Sequence, residues 1–157
     1  MAHGEHHYRV TVTWTGNTGS GTSGYRDYRR DHVVSAAGRP AIAGSSDPAF
    51  RGDASRWNPE DLLLASASAC HQLWYLHLCA DAGIAVLAYE DSAEATMVDG
   101  EGGHFTRIVL RPRVTVRAGD DLALAERLHH AAHAQCFVAN SLKTPIDCVP
   151  VIVPATA

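Results

Sequence analysis

Lysine is almost missing from this chain: of its thirteen basic residues twelve are arginine, and Lys143 is the only lysine. With seventeen acidic residues the formal net charge is −4. No basic excess is available to follow a phosphate backbone, so nucleic acid is not an expected partner. Charged residues make up 19% of the chain and apolar ones 46%, a balance that excludes a disordered polymer. The short motifs C-x-x-C and H-E-x-x-H are both absent. The opening residues, MAHGEHHYRV, carry neither the basic nor the apolar region of a secretory signal, so a cytoplasmic location is expected. Thiols stay reduced there. Four scattered cysteines (Cys70, Cys79, Cys136 and Cys148) do not make a disulfide framework, and are left as buried hydrophobes, metal ligands or redox groups.

What is present begins with one long helix. From Leu62 to Cys79 there are eighteen residues without Asp, Glu, Lys or Arg, and Cys70 and His71 stand in the middle. Asn58 suits an N-cap, Pro59 the first helical position, and Glu60 and Asp61 the positive end of the dipole. Gly83 is a natural stop. The helix then spans about 24 residues, or about 36 Å. Ser66, Ser68, His71, Gln72 and His77 dilute it too far for a membrane span, and no basic flank accompanies it. A helix apolar nearly all round is expected at the centre of a fold, covered on several sides.

The remaining elements read as strands and one further helix. YRVTVTWT (8–15) alternates as a strand, and YRDYRRDHVVSAAG (25–38) looks like a second. Between them Gly19, Gly21 and Gly24 spell G-x-G-x-x-G, but no helix follows to aim at a pyrophosphate, and a hairpin loop is the better reading. Residues 38–56 look like a long ordered loop carrying Arg39, Arg51 and Arg56. Strands are expected at 86–98 and 105–117. In the second, Ile108, Leu110, Val114 and Val116 face one way and Arg107, Arg111, Arg113 and Arg117 the other, with Pro112 marking an edge or bulge. A helix at 121–135, a short helical piece at 136–143 and a last strand complete the chain. The pattern ββ–α–ββ–α–β predicts one α+β domain over 1–157, built round a long buried helix.

Chemistry centres on Cys70. A cysteine in an apolar helix is commonly a small hydrophobe, and a working thiolate there needs a nearby cation. The loop arginines could supply one, and a buried arginine needs a carboxylate to hold it. Glu60 and Asp61 are nearest in sequence. Ten residues on one helix place Glu60 about 15 Å in rise from Cys70, too far to serve it through a single arginine. In a two-fold dimer with antiparallel long helices, Glu60 of one chain approaches Cys70 of the other. Cys79 lies nine residues beyond Cys70, on the opposite helix face, so the two cannot bond. Cys136 opens a short helical piece where a dipole would lower its pKa, and is the best partner for Cys70. A competing reading takes His129, His133 and Cys136, at i, i+4 and i+7, as zinc ligands.

The block NPEDLLLASASAC, followed 66 residues after Cys70 by the isolated Cys136 near a final strand, resembles the OsmC/Ohr family of osmotically inducible and organic hydroperoxide resistance proteins. The segments RDH, AGSSDPAFRGDASRWNPEDLL and HAQCFVANS are similar to an OsmC-like subgroup. The resemblance implies an intertwined homodimer, with two long central helices flanked by antiparallel sheets. It also implies a cysteine peroxidase that reduces organic hydroperoxides without metal, flavin or other cofactor. By position Cys70 would be the peroxidatic thiol and Cys136 the resolving thiol, with Glu60 orienting the active-site arginine. Arg51, nine residues before Glu60, best matches that arginine, and Arg30 is the reserve. Leu73 and Trp74 would wall the substrate pocket, and an external dithiol, such as a lipoyl-type one, would regenerate the enzyme. Two departures stand out. His71 follows the first cysteine where many members carry an aromatic residue, and Phe137 follows the second where proline is common. A non-catalytic member with structural cysteines is the remaining alternative.

Overall fold

The computed structural model describes residues 3–156. Two compact units divide at Leu62/Leu63, within the first turn of the long helix.

In the N-terminal unit three strands form one antiparallel sheet in the order β1 (Thr11–Trp14), β2 (His32–Ser35), β3 (Ile42–Gly44). The glycine-rich segment is the connection from β1 to β2, as its composition predicts. Asn17 Oδ1 accepts the N–H groups of Gly19 and Gly21, and no helix follows. The expected strand over 25–38 is shorter, because Arg30 folds back on Tyr25 and Tyr28 before β2 begins. The expected loop at 38–56 contains β3 and a single 3₁₀ turn, Pro48–Phe50.

Helix α1 runs unbroken over Pro59–Asp81. Asn58 caps it, its Oδ1 accepting the Asp61 N–H at 2.8 Å. At the far end Gly83 adopts φ 75°, which a side chain would resist, and the Ile84 N–H returns to the Cys79 carbonyl. In this chain α1 buries one stripe: Ala67, His71, Tyr75 and Cys79, spaced by four. Coverage on several sides is not seen, since Leu73 is 67% exposed.

The C-terminal unit is a bent ladder. Each predicted long strand breaks once: β4 (Val86–Asp91) from β5 (Glu94–Val98), β6 (His104–Leu110) from β7 (Pro112–Val116), and β8 (Ile146–Cys148) from β9 (Val151–Pro154). The halves pair in the same order, β4-β7-β9 and β5-β6-β8; the β4–β7 and β5–β6 pairs are antiparallel, and the β6–β8 and β7–β9 pairs parallel. Proline explains two of the breaks, because Pro112 and Pro150 have no N–H to donate to a continuous ladder. At the bend the Arg111 N–H is taken instead by Asp91 Oδ1 at 2.7 Å.

The two faces of β6–β7 sort as the alternation predicts. Ile108, Leu110, Val114 and Val116 are fully buried, and the four arginines are exposed. Val114 and Val116 pack with Tyr75, Cys79 and Ile84, and with Ala125 and Ala132 of helix α2 (Leu122–Gln135). Ile108 and Leu110 pack with Ala67 and, through partly buried neighbours, with Val138 of the short helix α3 (Phe137–Ser141). Each buried aliphatic side chain contributes about 1.5–3 kcal/mol. Among the described residues no helix is long and apolar enough to cross a membrane.

Candidate functional site: a thiol pair and an imidazole cluster

Cys136 is held where two helices meet. It is the C-cap of α2 and the N-cap of α3, with extended backbone angles (φ −65°, ψ 113°) that turn the chain from one into the other. Its Sγ accepts the Ala139 N–H at 3.4 Å. Cys70, half-buried on α1, lies close enough to act on the Cys136 thiol, and both thiols are free. The chain therefore brings together the two cysteines picked out by their sequence positions.

The electrostatics of Cys136 differ from expectation. Burial pushes its thiol up to about 11 and the neighbouring Cys70 thiol adds to the rise, while the N–H groups of Ala139 and Val138 pull the other way. Helix α3 has only five residues, so its aligned peptides offer little dipole against desolvation. Cys136 is a protonated thiol at neutral pH.

Beside the pair opens a cavity of about 350 Å³, lined by Cys70, Leu73, Trp74, His77 and Phe137. Trp74 is set edge-on to both His77 (ring centroids 5.8 Å apart) and Phe137 (5.4 Å). These T-shaped contacts fix the indole as one wall. Leu73 and Trp74, predicted as pocket residues, line it. Phe137 and His77 join them, and Phe137 stands where the resemblance leads one to expect proline.

The expected zinc face of His129, His133 and Cys136 does not form. Cys136 has already left the α2 helix, and His133 is exposed. His129 turns instead to His71 of α1, with His129 Nδ1 and His71 Nε2 2.9 Å apart and the two rings edge to edge, within 4° of parallel and with centroids 5.2 Å apart. Cys148 Sγ of β8 lies 3.8 Å from the same His71 Nε2. Tyr75 stacks on the His129 ring, with centroids 3.8 Å apart, and its hydroxyl donates to the Ala125 carbonyl at 3.0 Å. Burial lowers His71 to about 4 and His129 to about 3, and raises Cys148 to about 12, so all three are neutral at pH 7. This cluster escaped the sequence reading. Its only signal was that His71 lies on the four-residue repeat shared by Ala67, Tyr75 and Cys79, which is the buried stripe.

The other predicted site residues belong to the helix start and the N-terminal unit. Glu60, in the first turn of α1, has its Oε2 buried without a hydrogen-bond partner among the described residues. Arg51 is exposed and caps the 3₁₀ turn at φ 66°, the one non-glycine with positive φ among the described residues. The Arg30 guanidinium is spent locally. It donates to the carbonyls of Tyr28 (2.8 Å) and Tyr25 (2.7 Å) and lies over both rings.

Fold and site together define an α+β protein with two free thiols paired at the edge of an apolar cavity. The chain belongs to the OsmC-like protein family, whose sequence pattern it matches over residues 52–150. Among solved structures it is similar to an OsmC-like protein of unknown function from Vibrio cholerae, at 27% identity and a TM-score of 0.84, covering 94% of this chain and 100% of the other. An organic hydroperoxide resistance protein from Legionella pneumophila shares the fold at 18% identity and a TM-score of 0.66, over 94% of this chain and 98% of the other. So does the organic hydroperoxide resistance protein OhrB of Bacillus subtilis, at 20% identity and a TM-score of 0.58, over 93% and 98%. No curated protein matches the chain in sequence.

Proposed function

We propose that the protein is a cysteine-based peroxidase that reduces organic hydroperoxides to alcohols. The observation that carries this reading is the pairing of the Cys70 and Cys136 thiols beside a cavity walled by Leu73, Trp74 and Phe137. The organic hydroperoxide resistance proteins with the same fold support it.

In this mechanism the Cys70 thiolate attacks one peroxide oxygen. The O–O bond breaks, the leaving alkoxide takes a proton to become the alcohol, and Cys70 is left as a sulfenic acid. Cys136 then attacks that sulfur. The S–S bond forms as the S–O bond breaks, and the Cys136 proton leaves with the hydroxyl as water. An external dithiol, such as a lipoyl-type one, reduces the disulfide by exchange.

The cation that completes the thiolate's surroundings is assigned to Arg51, oriented by Glu60. Two observations support Arg51 over Arg30: Arg30 already donates to two carbonyls and lies over two tyrosine rings, and Arg51 holds a backbone conformation of the strained kind that functional sites retain. The unpartnered Glu60 oxygen supports the carboxylate's role, because a buried carboxylate oxygen without a donor is costly.

We assign the protein to the cytoplasm as a homodimer of one-domain chains. The exposed Leu73 on α1 and Phe137, 70% exposed, support a second copy covering this face. The test is titration of free thiols with cumene hydroperoxide. Wild type is expected to lose two thiols per chain, and Cys70→Ser none. Loss of no thiols in the wild type sinks the proposal in favour of structural cysteines.

A further inference from the structure

We infer that His71, His129 and Cys148 form a binding site for one thiophilic d¹⁰ metal ion, Zn²⁺ or Cu⁺, separate from the Cys70–Cys136 pair. His71 comes from α1, His129 from α2 and Cys148 from β8, so three elements distant in sequence converge on one point. Their donor atoms all lie within 4.8 Å of one another, and both histidines are buried.

The spacing fits a single ion. Metal–nitrogen bonds of about 2.0 Å and a metal–sulfur bond of about 2.3 Å at tetrahedral angles require N···N near 3.3 Å and S···N near 3.5 Å. The structure has 2.9 Å between the two nitrogens and 3.8 Å from Cys148 Sγ to His71 Nε2, each within a few tenths of an ångström, and no donor pair is more than 4.8 Å apart. A tilt of the imidazoles brings their lone pairs onto one ion. Two imidazoles and one thiolate are the soft donor set that selects zinc or copper over magnesium or calcium.

The protonation pattern is reachable, at the cost of two buried ring N–H groups without acceptors among the described residues. To bind together, His71 Nε2 and His129 Nδ1 must both be unprotonated, which places the protons on the far nitrogens. Those atoms, His71 Nδ1 and His129 Nε2, are buried without a hydrogen-bond partner among the described residues, so no acidic hydrogen holds either far lone pair. Both imidazoles can therefore take the tautomer a metal needs. Without a cation, two lone pairs facing each other at 2.9 Å repel, and only a shared proton relieves them.

Charge favours a cation at this point. The Asp91 carboxylate acts on both His71 and Cys148 through space, and is itself held by the Ser68 hydroxyl and the Arg111 N–H. Binding displaces the Cys148 proton to solvent. A Cu⁺ ion with one thiolate and two neutral imidazoles is then uncharged, and a Zn²⁺ ion leaves one positive charge for Asp91 to offset.

The site does not depend on the peroxidase reading, and one set of proteins tests them apart. The reduced, chelator-stripped full chain is titrated with Zn²⁺ against a competing chelator dye, with Cu⁺ against a Cu⁺ chelator without oxygen, and with Co²⁺ as a spectroscopic probe. One ion of Zn²⁺ or Cu⁺ per chain is expected, and the Co²⁺ form is expected to show a thiolate-to-metal charge-transfer band. Cys148→Ser, and separately His129→Gln, should weaken binding by about a hundredfold or more, and Cys148→Ser should remove the band. Thermal midpoints of the stripped proteins report whether each variant still folds. Cys70→Ser should bind as wild type does, whether or not it reacts with peroxide. Absence of stoichiometric uptake by wild type overturns the inference. So does uptake lost in Cys70→Ser but kept in Cys148→Ser, which would place the metal on the thiol pair.

Discussion

Cys70 and His71 are consecutive on one helix, yet they enter opposite surroundings. A step of about 100° around the helix takes Cys70 toward a cavity open to solvent, and His71 onto the stripe that α2 and β8 close over. On the first side burial is partial and the sulfur can meet a substrate. On the second, desolvation is complete enough to hold two imidazoles neutral far below their usual range. The difference teaches that reactivity here is set by which side of α1 a residue occupies, more than by its residue type. Cys148 is also a cysteine, but it sits on the closed side with its thiol pushed up to about 12.

That contrast is tested first by removing the open-side sulfur. Cys70→Ser is expected to abolish turnover of cumene hydroperoxide in a coupled dithiol assay, while Cys148→Ser keeps the two-thiol loss on peroxide addition. Equal loss of peroxide reaction in the two variants would erase the distinction between the faces.

A smaller effect is expected at the second thiol. Cys136→Ser should still react once, leaving a sulfenic acid on Cys70 that a dimedone label captures by mass spectrometry. Steady turnover should stop, because no disulfide can form for the external dithiol to reduce.

Leu73→Ser should lower kcat/KM for cumene hydroperoxide by about tenfold, the equivalent of roughly 1.4 kcal/mol of apolar contact. Hydrogen peroxide, which has no apolar body to bind, should change by less than about twofold. Equal losses for both peroxides would show that the cavity does not select substrate.

Protonation of Cys136 offers a further measurement. Its folded value of about 11 lies above its ordinary 9.0, so the fold binds this proton more tightly than the unfolded chain does. The associated stability is fully present below pH 9 and is lost as pH rises through about 11. In Cys70→Ser, alkylation of Cys136 by iodoacetamide should keep accelerating above pH 9, because burial, the largest cause of the shift, remains when the Cys70 thiol is gone. A plateau near pH 9 would mean that burial does not control this thiol.

The smallest effect is expected on the closed side. Tyr75→Phe removes the hydroxyl that donates to Ala125 and should cost about 1 kcal/mol in urea unfolding, with the ring still stacked on His129. A loss above about 3 kcal/mol would mean that the hydroxyl anchors the whole imidazole cluster.

Much of the fold was legible because its signals are local. Asn58, Pro59 and Gly83 mark the ends of α1 within a residue or two, and the alternation in β6–β7 sorts arginines from aliphatics with no knowledge of what lies above the sheet. The breaks in the strands were harder to see. Pro112 gave a warning, but the matching bend at Ser92 depends on pairing with β6 and β7 across the sheet. The thiol pair was legible through the family resemblance of its residues, and the walls of the cavity in part.

What the sequence alone determined, then, is the long helix, the succession of strand and helix regions along the chain and the two cysteines that mark the candidate site. Each follows from residues close together in the chain, through capping, period and motif. Only the tertiary structure decided the company that each side chain keeps. His71 meets His129 across 58 residues and Cys148 across 77, and both meetings depend on how α2 and β8 close over one stripe of α1. Burial likewise made Cys136 a protonated thiol where a helix end promised a lowered one. Desolvation is a property of the assembled interior, and no short stretch of sequence carries it.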